Sequence, residues 1–211
     1  MSIQEIQHGI FENKSQIILQ LMQVFLVGFA IGMTRVVIPG LADAEFNLGK
    51  QQFLLLTSFV VVFGVVKVVM NLLAGRLSDQ YGRKRVLIAG WIVAIPMPFM
   101  ILYAPNWNWI MASTLLLGIN QGLCWSMTIN SKLDLARSNQ KGLVSGINEF
   151  SGYVAIAGVA TAYIVNLIGA RQGLFIFGIV VIVLGLFSSI FYIKETMPWA
   201  KLHQRGESLM A

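Results

Sequence analysis

The sequence predicts an all-α integral membrane protein with six transmembrane helices, and three observations carry that reading. Hydrophobic residues make up 56% of the 211-residue chain and charged residues only 11%, where soluble globular chains carry about 25% charged residues. Six apolar runs, 17–38, 53–74, 86–104, 107–131, 143–168 and 172–193, each approach or exceed the roughly 20 residues that a helix needs to cross a bilayer. Most Lys and Arg residues fall between those runs, where they orient a membrane protein. A membrane strand needs only about 10 residues, so the runs are too long for a β-barrel reading.

The chain divides into a polar N-terminal tail at 1–16, a six-helix transmembrane bundle at 17–193, and a basic C-terminal tail at 194–211. The N-terminal tail carries Glu5, Glu12 and Lys14 and has no short apolar segment or small-residue cleavage site, so it reads as a surface helix or loose tail rather than a signal peptide. Pro39 is expected to stop or kink the first span near its outer end. Pro96 and Pro98 should kink the third span. The uncharged connection from Tyr103 to Trp109 suits an interfacial aromatic belt, and Gly169-Ala-Arg-Gln-Gly173 suits a short turn before the sixth span.

Orientation follows from the positive residues. One set of connections holds Lys14, Arg76, Arg83, Lys84, Arg85, Lys132, Arg137, Lys141, Lys194, Lys201 and Arg205, whereas the other holds only Arg35, Lys50 and Arg171. Both termini are therefore expected in the cytoplasm, which requires an even number of spans. Gly82-Arg-Lys-Arg-Val-Leu87 precedes the third span and Gly169-Ala-Arg-Gln-Gly-Leu174 the sixth. That echo suggests two three-helix units inverted across the membrane.

The net charge of +6 does not indicate nucleic-acid binding, because the cations are spread between apolar runs and not gathered on one soluble face. Cys124 is the single cysteine, so there is no disulfide framework. His8 and His203 lie in the tails, and no G-x-x-x-x-G-K-[ST] phosphate loop occurs. The expectation is no enzyme activity, no cofactor and no metal.

The stretch Gly75-Arg-Leu-Ser-Asp79-Gln-Tyr-Gly82-Arg83-Lys84-Arg85, between the second and third runs, reads as a tight loop turned at Gly75 and Gly82. Asp79 and Arg83 can pair across it. This pattern resembles the cytoplasmic loop between helices 2 and 3 of the major facilitator superfamily, with Gln80 standing where that family usually has Arg or Lys. The resemblance implies a secondary transporter fold, of which this chain corresponds to the N-terminal six-helix half; complete members have about twelve spans. It also implies that Asp134, in Lys132-Leu-Asp134-Leu-Ala-Arg137, joins Asp79 and Arg83 in a charge network that senses closure of the cytoplasmic side. A solvated surface pair is the alternative. The fifth span lacks the Gly-Pro pair of antiporter-type members, and Gly118 stands about where proton-coupled members often carry Arg.

Several polar residues fall inside the runs. Lys67 and Glu149 are charges within spans, each costing roughly 2.5–3.5 kcal/mol in hydrocarbon, so each should face protein or water. They are expected about 10–12 Å inside the cytoplasmic boundary, at about 1.5 Å per residue, as a static ion pair or around a shared wet cavity with Glu149 as proton carrier. Arg35 either attracts an anionic substrate or snorkels to the interface. Gln121, Trp125 and Thr128 share a helical stripe that suits a mixed apolar–polar solute, while Gly118-x-x-x-Gly122 offers a packing alternative in which amides glue helices together. Lys67, Asn71, Gln121, Asn148 and Glu149 should form a polar face needing cover.

The expected partners are the lipid bilayer, a small-molecule solute and a second six-helix half, as a separate chain or a second copy, with no nucleic acid. The expected location is the cell (inner or plasma) membrane. Alternating-access transport, proton-coupled or exporting, is set against a truncated or regulatory membrane subunit that keeps the fold without transporting alone.

Overall fold

The computed structural model describes residues 7–48, 53–156, 165 and 167–208. Within them the elements are α1 (Lys14–Phe46), α2 (Phe53–Tyr81), α3 (Arg83–Ala94), α4 (Pro96–Leu102), α5 (Trp107–Leu135), a 3-10 turn (Ser138–Gln140), α6 (Lys141–Ile156), α7 (Ala170–Phe191) and α8 (Met197–Ser208). No strand occurs among the described residues. Residues 157–164, in the expected fifth span, and Lys50, assigned to an outer connection, lie outside them.

Four stretches are long and apolar enough to cross a membrane: Lys14–Phe46, Thr57–Tyr81, Arg83–Leu102 and Ala170–Phe191. α5 has 29 residues, about 43 Å at ~1.5 Å per residue, but Asn108, Asn120, Gln121 and Asn130 make it more polar.

α1 begins at Lys14 and runs for 33 residues straight through Pro39, which corrects the expected stop there. Proline removes one N–H, and in an apolar medium the remaining backbone groups are best satisfied by continuing the helix. Asn47 ends α1 at φ +53°, a left-handed conformation that Asn tolerates at a helix C-terminus. The prolines of the third span do break it. α3 stops at Ala94 and α4 restarts at Pro96, where the missing N–H is one that the first turn leaves unbonded.

The expected loop 75–85 is much shorter in the structure. α2 continues to Tyr81, and only Gly82, at φ +94°, is non-helical before α3 begins. Gly75 is helical, with its carbonyl accepting from Ser78 Oγ at 2.8 Å, and makes no turn. The left-handed φ needed to reverse the chain falls on Gly82 alone.

The core joins Val24, Val27, Ile31 and Ile38 of α1 to Leu87 and Trp91 of α3 and to Ile110, Cys124 and Met127 of α5, all at most 2% exposed. A saturated polar network runs through it. Gln23 Oε1 accepts from Trp91 Nε1 at 2.7 Å, while Gln23 Nε2 donates to Gly185 O, Ser188 Oγ and Ser189 Oγ at 2.9, 2.7 and 2.9 Å. Both ends of the amide are thereby bonded, which a buried polar group in a membrane interior requires.

α2 and α5 meet through glycine. A Cβ on Gly118 would lie 2.9 Å from Val66 Cβ, and one on Gly122 would overlap Met70. The packing reading of Gly118-x-x-x-Gly122 is therefore realised, since only hydrogen side chains permit this approach. Away from α5, α2 is open: 17% of its apolar window is buried against 61% for α1. Val61, Val65, Val68 and Leu72 lie exposed along it.

Candidate functional site: a charge latch and a polar face

The latch forms where α2 ends and α3 begins. Gly82 lets Arg83 return towards Asp79 one turn earlier, and Arg83 Nη1 meets Asp79 Oδ1 at 2.8 Å and also donates to Ser78 Oγ. Arg83 Nε reaches across to Asp134 Oδ2, at the end of α5, at 3.2 Å. The Asp134 and Arg83 side chains are 11% and 12% exposed, whereas Asp79 is 71% exposed. The Arg83–Asp134 pair is thus the sheltered one, and the Asp79 arm is a solvated pair of the kind that contributes about 0–1 kcal/mol.

The segment after α7 completes the latch. Glu195 Oε1 accepts from Arg83 N at 2.9 Å and Glu195 Oε2 from Lys84 N at 3.1 Å. This puts a carboxylate on the N-terminus of α3, where unpaired N–H groups and the helix dipole favour an anion. Thr196 Oγ1 donates to Asp134 Oδ2 at 2.9 Å. A side chain on Gly82 would collide with the Glu195 carboxylate. Gly75 lies within α2, outside this cluster. Glu195, Thr196 and Ser78 were not singled out from sequence. Their role depends on contacts 62 to 112 residues apart for the first two, and no local pattern encodes those.

The tails join the same end. Trp199 is 5% exposed and packs with Ile17 and Leu135; its Nε1 donates to Gln7 O at 3.1 Å, and Arg137 donates to Glu12 and to His8 O. The N-terminal segment, expected as a surface helix or loose tail, and the basic C-terminal tail are therefore docked on each other over residues 7–13 and 194–202. The side chains of His203 and Arg205 are outside the described ones. At the far end of α1, Arg171 pairs with Glu45, lies 5.3 Å from the Phe46 ring centroid and donates to Ala104 O at 2.8 Å. Sequence reasoning had counted Arg171 only as a charge.

The polar face is centred on Trp125. Lys67 Nζ lies 4.8 Å from the Trp125 ring centroid, and Trp125 Nε1 donates to Glu149 Oε1 at 3.0 Å. The static Lys67–Glu149 bridge is not formed: the indole stands between the two charges, its ring taking the cation and its N–H taking the carboxylate. Trp125 is itself clamped, with Gly152 against its ring and Tyr153 edge-on at 5.9 Å. α2 runs to Tyr81, so Lys67 is fourteen residues from that end, about 21 Å at ~1.5 Å per residue.

Asn148 is fully buried and donates to Glu149 Oε1 at 2.9 Å, while exposed Asn71 accepts from Ser126 Oγ at 3.1 Å. Gln121 is not on this face. It is fully buried, donating through Nε2 to Val27 O of α1 at 2.9 Å, as neighbouring Asn120 donates to Gly90 O of α3. Both amides are helix glue, which corrects the cavity role expected of Gln121. Arg35 is exposed, but it stands eleven residues before the end of α1, not near its outer terminus, with its Cζ 5.6 Å from the Phe63 ring centroid. Lys132, read as a loop cation, is fully buried, and its Nζ donates to Gln20 O at 3.1 Å.

Among the described residues no cluster with metal-ligand composition occurs. The sequence profile of the Major Facilitator Superfamily matches residues 21–209. The chain is 27% identical over 193 residues to the Multidrug resistance protein MdtL of Citrobacter koseri. That alignment covers 89% of this chain and 48% of the relative, so the chain spans about half the relative's length. The latch motif, the apolar helices and the profile match converge: the chain belongs to the Major Facilitator Superfamily, as an integral membrane protein.

Proposed function

We propose that this chain is the N-terminal six-helix half of a secondary active transporter that moves a small solute by alternating access. The observation that carries the reading is the Lys67–Trp125–Glu149 cluster. Charges inside a membrane protein are costly unless they face protein or water, and these sit on the side of the bundle where α2 and α6 leave Val68, Leu72, Phe150 and Tyr153 exposed. A second six-helix half would cover that side and enclose a path. The latch of Asp79, Arg83 and Asp134, with Gly75 and Gly82 in the same segment, would lie on the cytoplasmic side with both termini, in the cell (inner or plasma) membrane, and gate it. The fold would comprise two inverted three-helix units, including a span through 157–164. Glu149 is the proposed proton carrier, and the name of the relative favours export as the direction.

The test is solute flux in vesicles holding this chain and a supplied second half. Glu149→Gln should abolish coupled flux, and Asp79→Asn should lower it several-fold while leaving the protein folded. Unchanged flux in both variants would overturn these assignments. A second reading, a regulatory membrane subunit that keeps the fold without transporting, is favoured by one observation: Glu195 and Thr196 complete the latch from within the chain itself. Absence of flux with every partner supplied would decide for it.

A further inference from the structure

Arg35 of α1 and Lys67 of α2 address the same aromatic ring, with Arg35 Cζ 5.6 Å and Lys67 Nζ 5.9 Å from the Phe63 centroid. Neither takes part in an ion pair among the described residues. Two neighbouring cations within apolar helices repel more strongly than they would in water, because the interaction scales inversely with the local dielectric. The charges facing them from adjoining elements do not balance them. α6 contributes the carboxylate of Glu149, engaged by Trp125 Nε1 and Asn148 Nδ2. The group thus holds two cations and one anion, and the largely buried rings of Phe63 and Trp125 lie beside the two cations on α1 and α2.

We propose that Arg35 and Lys67 form the binding site for an amphipathic organic anion: a carboxylate or similar group between the two cations, beside the edge of Phe63, with an apolar body along the exposed valines of α2, Val60, Val61 and Val65. The inference rests on the transport reading and names its substrate class. It sets this chain apart from a site for lipophilic cations, which would need surplus carboxylates. Arg35 supplies a planar fork suited to a carboxylate, and Lys67 a point charge. Glu149 offsets part of this charge from across Trp125, and the group stays net positive by one, which an anion would balance.

The test uses the full chain in phosphatidylcholine nanodiscs and three probes of matched shape: 2-naphthoate, neutral 2-naphthamide and cationic 2-naphthamidine. Binding is read by equilibrium dialysis against protein-free discs. Naphthoate should bind saturably and at least about tenfold more tightly than the other two, the scale of a charge-assisted contact. Arg35→Gln and Lys67→Gln should each weaken it by about tenfold or more, and Arg35→Lys should recover part of the loss. Equal or tighter binding of naphthamidine, or naphthoate binding indifferent to both Gln variants, overturns the proposal. Replacing part of the phosphatidylcholine by phosphatidylglycerol separates a soluble anion from a lipid headgroup. Retained naphthoate binding supports the solute, and its displacement by the lipid overturns it. Anion binding without flux would sink only the transport reading, and flux without anion preference only this one.

Discussion

Glu195 joins two levels of structure through one carboxylate. It accepts from the first two N–H groups of α3, which have no partner within the helix, and it holds the segment after α7 against Gly82. Glu195→Ala should therefore lower stability by about 1 kcal/mol, in the range of a lost helix cap. Glu195→Gln, which keeps an acceptor but not the charge, should cost less. Thermal unfolding of the solubilised chain checks both, and equal losses would show that the dipole interaction contributes nothing. Of the latch, the Asp79–Arg83 spacing was legible in the sequence, and Asp134 through its family resemblance. Glu195 was not, because its meaning depends on the approach of the two chain ends. Lys67 and Glu149 stood out as charges in apolar runs. That Trp125 separates them follows from how α2 and α6 are rotated about their axes, which residue spacing alone does not fix.

Among the helices, glycine has opposite consequences at two places. Gly122 is where α2 and α5 cross, with Met70 occupying the space a Cβ would need. Gly75 sits in the last part of α2 with no atom within 4 Å of a Cβ position. Gly122→Leu should part the helices and cost at least about 1–3 kcal/mol, as overpacking does. Gly75→Ala should be neutral or stabilise by roughly 0.5–1 kcal/mol, the usual gain of Ala over Gly inside a helix. Unfolding midpoints of the two variants measure the contrast, and a destabilised Gly75→Ala would restore the turn expected from sequence. The same contrast explains what was legible at this scale. A glycine reads as a turn or as a contact only once its neighbours are known, and Pro39 misled for a similar reason. Pro96 and Pro98 were read correctly because two imino acids so close together leave the ladder too few donors to continue.

Across the whole molecule, α1 is held at both ends by separate clasps. At its start, Trp199 packs on Ile17 and Leu135 while residues 7–13 bond to Leu135 O, Gln140 and Arg137. At its finish, Arg171 ties Glu45 and Phe46 to the carbonyls that end α4. These clasps share no residue, and the length of α1 separates them. The proposed rocking as a body would need the ends of the bundle tied internally, so that tilting does not open the bundle itself. The two ends should therefore fail independently. Trp199→Ala removes the apolar pin of the first clasp, and amide exchange of Gly9, Ile10 and Ala136, whose N–H groups are bonded there or beside it, should speed up markedly. Amides at the second clasp, Tyr103 and Ala104, bonded to Phe99 O and Ile101 O, should keep their protection. Loss of protection at both ends together would mean that the helical unit opens as a single cooperative body, and the latch would then be no more separable from the rest of the fold than any other part of its core.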